Sequence, residues 1–152
     1  MKTFIVIGFT LGALAIAACS GGGTDAPAAS ADSRATPPAG ALVLSAKDFS
    51  FVPAAIELHV GKPVTLFIRN DGSDDHDLKS KLPVSGLAYD HSDNTDDEKT
   101  SNAKESQLDV DFAQGHTAQV SFTPTTAGTF PYGCSHTGHA DKGMVGTFVV
   151  TP

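Results

Sequence analysis

The sequence predicts an all-β protein, an antiparallel two-sheet sandwich or barrel, on three observations. Apolar residues recur with a period of two over short runs, Gly, Pro, Asn and Asp punctuate those runs, and no long segment keeps a period of 3.6. The folded part begins near Ala41, and its roughly 110 residues are enough for one core.

The elements follow in order. Leu42 and Leu44 alternate with Val43 and Ser45 in a first short strand. Phe49-Ser50-Phe51-Val52-Pro53 comes next, and then a run that places Ile56, Leu58 and Val60 on one face. Gly61-Lys62 turns the chain into a β-rich strand over 64–68, which Asn70-Asp71-Gly72 terminates. Later, 118–122 reads as a strand and 124–128 as a turn. Phe130, Tyr132 and Cys134 then share one face, and a last strand runs over 144–151 with Phe148 and Val150 on the side of Met144. The exception is 79–107, whose acidic centre over 90–98 reads as a long loop; its second half, 97–108, can form a short helix.

Before the folded part lie two stretches of another kind. Residues 1–18 read as a bacterial export signal, with Lys2 followed by an apolar run too short for a confident membrane span. That run ends in Ile16-Ala17-Ala18-Cys19, which resembles the lipobox of bacterial lipoproteins and implies cleavage before Cys19 and lipidation of its thiol. Ordinary secretion with cleavage at a nearby small residue is the alternative. Residues 19–40 are a linker of Gly, Ala, Ser, Pro and Thr, and coil statistics give it an end-to-end reach of about 25 Å. The expected organisation is therefore a signal peptide over 1–18, a lipid-anchored tether over 19–40 and one domain over 41–152.

The formal charge is −7 and becomes −8 once Lys2 is removed, which argues against a nucleic-acid partner. An acidic protein is compatible with a basic protein partner. The chain has two cysteines, Cys19 and Cys134. With Cys19 acylated, Cys134 has no disulfide partner, and a lone thiol in an oxidising compartment needs an occupant such as a metal.

The chemistry concentrates in 129–146, TFPYGCSHTGHADKGMVG. Cys134 is followed by His139 after four residues and by Met144 after four more. Taken singly, Cys134 reads as a small buried hydrophobe and Met144 as core filler. Together with His139 they form a thiolate, imidazole and thioether set that selects copper, whereas zinc prefers a further thiolate, imidazole or carboxylate. A mononuclear blue-copper centre takes one Cys, two His and a weak axial Met, so an upstream His is needed.

From Ala41 onward the chain resembles the cupredoxins, the blue-copper family of plastocyanin and azurin. The resemblance rests on Tyr132-x-Cys134-x4-His139-x4-Met144-x-Gly146, with gaps similar to those of the auracyanin and rusticyanin branches. It implies a Greek-key β-sandwich, one type 1 copper ion and a ligand His after a strand that ends in Asn and a Gly turn. Asn70-Asp71-Gly72-Ser73-Asp74-Asp75-His76 fits that description, which makes His76 the fourth ligand beside Cys134, His139 and Met144. Asp77 stands where the family often has Asn or Ser bridging to the Cys-bearing loop, with Ser135 as its expected counterpart.

His136 is expected at the surface near copper rather than on it, because a ligand two residues after Cys134 would force a very tight chelate. His59, His91 and His116 are expected at the surface, with His91 as a weak second cation site at most.

The functional expectation is one-electron transfer between redox partners, such as a cytochrome c or an oxidase or reductase, at the periplasmic face of a bacterial membrane or the cell surface. Four protein donors leave no open position for substrate or activated water, so hydrolysis is not expected. A copper carrier or store is the alternative, and the scarcity of methionine, Met1 and Met144 alone, argues against it. A cysteine nucleophile at Cys134 has neither an evident orienting group nor a use for the thioether.

Overall fold

A computed structural model describes residues 35–90 and 107–152, all within one compact unit, Asp32–Pro152. Among the described residues, ten strands form two five-stranded sheets packed face to face. They are β1 (Leu42–Lys47), β2 (Ser50–Val52), β3 (Ala55–His59), β4 (Val64–Asn70), β5 (His76–Ser80), β6 (Val84–Asp90), β7 (Leu108–Phe112), β8 (Thr117–Pro124), β9 (Gly128–Gly133) and β10 (Val145–Thr151). One sheet has the order β2-β1-β4-β8-β6 and the other β3-β10-β9-β5-β7. A 3-10 turn, Ala140–Lys142, lies between β9 and β10.

Alternation decides which faces are buried. In β3 every second residue is buried, so Ile56 and Leu58 enter the core while Glu57 and His59 stay in water. β7 repeats the pattern with Leu108, Val110 and Phe112. Between the sheets, Leu44, Leu66, Ile68 and Val120 of the first meet Leu78 and Phe148 of the second. Each such side chain contributes about 1.5–3 kcal/mol of apolar transfer free energy.

Most pairings are antiparallel, as period-two strands with short turns suggest, but each sheet also holds one parallel pair. β1 runs parallel to β4, with Leu44 opposite Ile68, and β3 runs parallel to β10, with Ile56 opposite Phe148. These pairs bring remote parts of the chain together at the sandwich end that carries the site.

The stretch 79–107 differs from its reading as a loop. Lys79 and Ser80 finish β5, and Val84–Asp90 is a strand whose alternation a bulge between Ser85 and Ala88 interrupts, with Gly86 at φ 63°. The expected helix over 97–108 is not continued at its end, because Leu108 opens β7, whose Leu-Asp-Val-Asp-Phe sequence has the period of a strand. The rest of that segment, including His91, lies outside the described residues, as do the signal, the lipidation site Cys19 and most of the linker.

Candidate metal centre

His76 owes its position to Asn70, the last residue of β4. The Asn70 side chain is fully buried, and its Nδ2 donates to the carbonyls of Asp74 (2.8 Å) and Phe112 (3.3 Å). Its Oδ1 accepts from the amide of Gly72 (3.0 Å). One amide thus fixes the connecting loop at Gly72 and Asp74, ties it to the end of β7 at Phe112, and delivers His76 as the first residue of β5, opposite Phe112. The loop is tied down further where Asp71 donates its amide to the Ala46 carbonyl (2.7 Å) and where Asp75 accepts from the Gln114 amide (2.8 Å).

Cys134 follows the end of β9, and its amide donates to the Met144 carbonyl (3.1 Å). Between them the chain makes a tight excursion. The His139 amide donates to the His136 carbonyl (3.1 Å) and the Met144 amide to the His139 carbonyl (3.0 Å). Gly138 and Gly143 supply the left-handed backbone conformations (φ 79° and 109°) that close this loop at either end of the 3-10 turn. The spacing Cys-x4-His-x4-Met is therefore the length of one hydrogen-bonded loop that returns to its origin.

The donors converge. His76 Nδ1 and His139 Nδ1 face each other at 3.2 Å, and Cys134 Sγ lies 3.5 Å from His139 Nδ1. One ligand atom from each of these three residues falls within 4.8 Å of the others. Three donors around a first-row metal, at bond lengths of about 2.0 Å to nitrogen and 2.3 Å to sulfur, stand about 3.5–4 Å apart, so the set fits one ion. Met144 is completely buried and Cys134 nearly so.

The electrostatics suit a metal. Burial, and then the neighbouring His139, pushes the His76 imidazole below its ordinary value, which keeps the ring neutral as a ligand must be. Burial pushes the Cys134 thiol up, against hydrogen bonds from the backbone amides of Asp77 and His136 that favour the thiolate. Without a metal the pocket disfavours the sulfur's negative charge, and a cation supplies the missing compensation.

The surroundings sort the other expected residues. Asp77 is buried, and its two carboxylate oxygens accept the amide and the hydroxyl of Ser135, next to Cys134 in the chain. His136 is exposed, with its ring centroid 5.4 Å from that of His139. His59 is exposed and meets Thr151 Oγ1 at 2.7 Å. His116 differs from expectation in being half-buried, at the turn where its carbonyl accepts the Asn70 amide (3.0 Å).

Sequence reasoning missed the turn between β1 and β2. Phe49 packs edge-on against His139 (centroids 5.1 Å apart), and Lys142 Nζ sits 4.0 Å above the Phe49 ring. Asp48 Oδ1 lies 3.6 Å from His76 Nε2, and its carboxyl is held below the ordinary range chiefly by hydrogen bonds from Ser73. No local pattern marks these residues, because they reach the site only through the pairing of β1 with β4.

A two-sheet sandwich that gathers His76, Cys134, His139 and Met144 defines a class, the small single-domain type 1 copper proteins or cupredoxins. Residues 39–151 match the family of copper binding proteins, plastocyanin/azurin family, and the chain belongs to that family. That family binds copper, and the three converging donors of this chain fit one such ion. Among solved structures it is similar in fold to a dithionite-reduced auracyanin from Roseiflexus castenholzii (15% identity, 74% of this chain and 100% of that one, TM-score 0.55). It is likewise similar to auracyanin B (20% identity, 78% and 93%, TM-score 0.55). A third is auracyanin A, a "blue" copper protein from Chloroflexus aurantiacus (19% identity, 74% and 100%, TM-score 0.51). No curated protein sequence matches significantly.

Proposed function

We propose that this protein shuttles single electrons between redox proteins at the bacterial cell envelope, tethered by a lipid on Cys19. The observation that carries the reading is the convergence of two imidazole nitrogens and a thiolate from two separate strand ends onto one point. Bound copper supplies a one-electron couple, and the chain's own residues do the rest. His76, Cys134 and His139 would hold the ion, and the buried Met144 would supply a weak thioether donor. Hydrogen bonds fix the loops that carry these donors, so little rearranges when the charge changes. With every position filled by protein, no substrate atom reaches the metal.

His139 is the route for the electron. The residue is half-buried, and its neighbours Gly138 and Ala140 are small, which lets a partner approach closely. A cytochrome c, or an oxidase or reductase, has the redox chemistry required of that partner. The Asp77 carboxylate beside the Cys134 loop favours the more highly charged metal and lowers the potential. The lipid anchor rests on Ile16-Ala17-Ala18-Cys19, and the linker over 19–40 gives the domain reach from the membrane.

The test loads the purified protein with Cu(II) and measures visible absorption and the rate of electron exchange with a c-type cytochrome. An intense thiolate-to-copper band, lost in Cys134→Ser and in His139→Ala but kept in His136→Ala, together with fast exchange and slow copper loss, is the expected result. A colourless copper complex, or copper that leaves faster than electrons exchange, refutes the reading. Fatty-acid labelling in a bacterial host, abolished by Cys19→Ala, tests the anchor separately.

A further inference from the structure

We infer that Asp48 is a positioning residue for His76, its carboxylate accepting the proton of His76 Nε2 and so presenting Nδ1 to the metal; this rests on the copper-site reading above. An imidazole has two nitrogens, and a ring that ligates through one must carry its proton on the other. His76 Nδ1 is the nitrogen that faces His139 Nδ1 and the Cys134 side. Nε2 is therefore the donor, and it sits on a side chain with no exposure to water. Nε2 has no hydrogen-bond partner among the described residues. The group in front of it is Asp48 Oδ1, at 3.6 Å. That separation leaves no room for a water between them, and a closure of about half an ångström makes a hydrogen bond.

Three features show that the approach is built. The Asp48 carboxylate is fixed by the amide and hydroxyl of Ser73, at 2.7 and 2.6 Å. Gly72 leaves the space between the two groups open: a Cβ there would stand 2.4 Å from Asp48 Oδ1 and 2.9 Å from His76 Nε2. The turn itself is set by Lys47 pairing with Ser50, which leaves Asp48 and Phe49 as its two central residues, Phe49 at φ 64°. This turn therefore serves both imidazoles, with Asp48 on the edge of His76 and Phe49 on the ring of His139. The Asp48 side chain is 38% exposed, so water screens its charge, and its larger effect is to orient the ring.

The test uses the full chain, 15N-labelled and copper-free, with the His76 tautomer read from long-range 1H–15N spectra. Wild type and Asp48→Asn, which keeps an acceptor oxygen, are expected to hold the proton on Nε2. Asp48→Ala, and Gly72→Ala, which leaves both groups in place but separates them, are expected to shift it toward Nδ1. Cu(II) affinity, measured by competition, is expected to fall about 10- to 100-fold in Asp48→Ala and to be largely rescued in Asp48→Asn. A tautomer in Asp48→Ala identical to wild type, or an Asn variant as impaired as the Ala variant, overturns the inference. Should Gly72→Ala fail to fold, the Asp48 pair decides alone. Wild-type protein that binds no copper sinks the functional reading instead, while the tautomer result still decides whether Asp48 orients His76.

Discussion

Asp77 shows how much one side chain can settle next to the metal loop. It lies on the outer face of β5, yet it is buried because the loop after Cys134 folds over it, and both its oxygens are used by Ser135. Lys79 Nζ stands 3.5 Å from the same carboxylate. Asp77→Asn removes the charge and one of the two acceptors. The reduction potential is expected to rise by on the order of 60 mV, about a tenfold change in relative Cu(II) and Cu(I) affinity for a one-electron couple. Protein-film voltammetry measures it, and an unchanged potential would show that the carboxylate's charge does not reach the metal. The sequence placed Asp77 beside its ligand and named Ser135 as its counterpart. It left open whether the side chain points inward, because that depends on a loop almost sixty residues away.

Among the elements, β9 and β10 carry the loop, and their seam explains the glycine that ends the motif. Gly146 pairs with Tyr132, and a Cβ on Gly146 would meet the Tyr132 ring at 2.2 Å. The ring cannot withdraw easily, because its hydroxyl donates to the carbonyl of Pro53 (3.0 Å) and its centroid lies 4.6 Å from that of Phe148. Gly146→Ala is therefore expected to destabilise the protein by about 2–3 kcal/mol through overpacking, seen as a lower midpoint in urea without a change in slope. An unaltered midpoint would mean that the seam opens without cost. Strands with plain alternation, such as β3 and β8, were legible in the sequence. β5 carries a single large aliphatic side chain, Leu78, and β6 is broken by a bulge, so neither showed the period of a strand. β7 has that period in Leu108, Val110 and Phe112, with Asp109 and Asp111 between them.

For the whole molecule, a copper ion held by these donors would be a cross-link. His76 at the start of β5 and Cys134 at the loop between β9 and β10 stand 58 residues apart in the chain, and the ion would close that span. A ligand that binds only the folded state stabilises it by about 2.7 kcal/mol at a hundred times its dissociation constant. For a domain of roughly 100 residues that corresponds to a rise in Tm of about 10–20 °C. Scanning calorimetry with and without copper measures it, and the rise should vanish in Cys134→Ser. A copper-independent Tm in wild type would rule out a metal shared between the two strand ends.

By itself the sequence determined the soft donor set and its loop, because Cys134, His139 and Met144 are bound by backbone hydrogen bonds within a dozen residues, and local spacing is what a sequence displays. It also determined the two-layer β class, since alternation is a local property of each strand. Only the tertiary structure decided which residues surround those donors. Asp48, Phe49 and Gly72 come to the metal centre through the register of β1 on β4 and the loop that Asn70 pins, and such contacts depend on how whole strands stack rather than on any neighbouring residue.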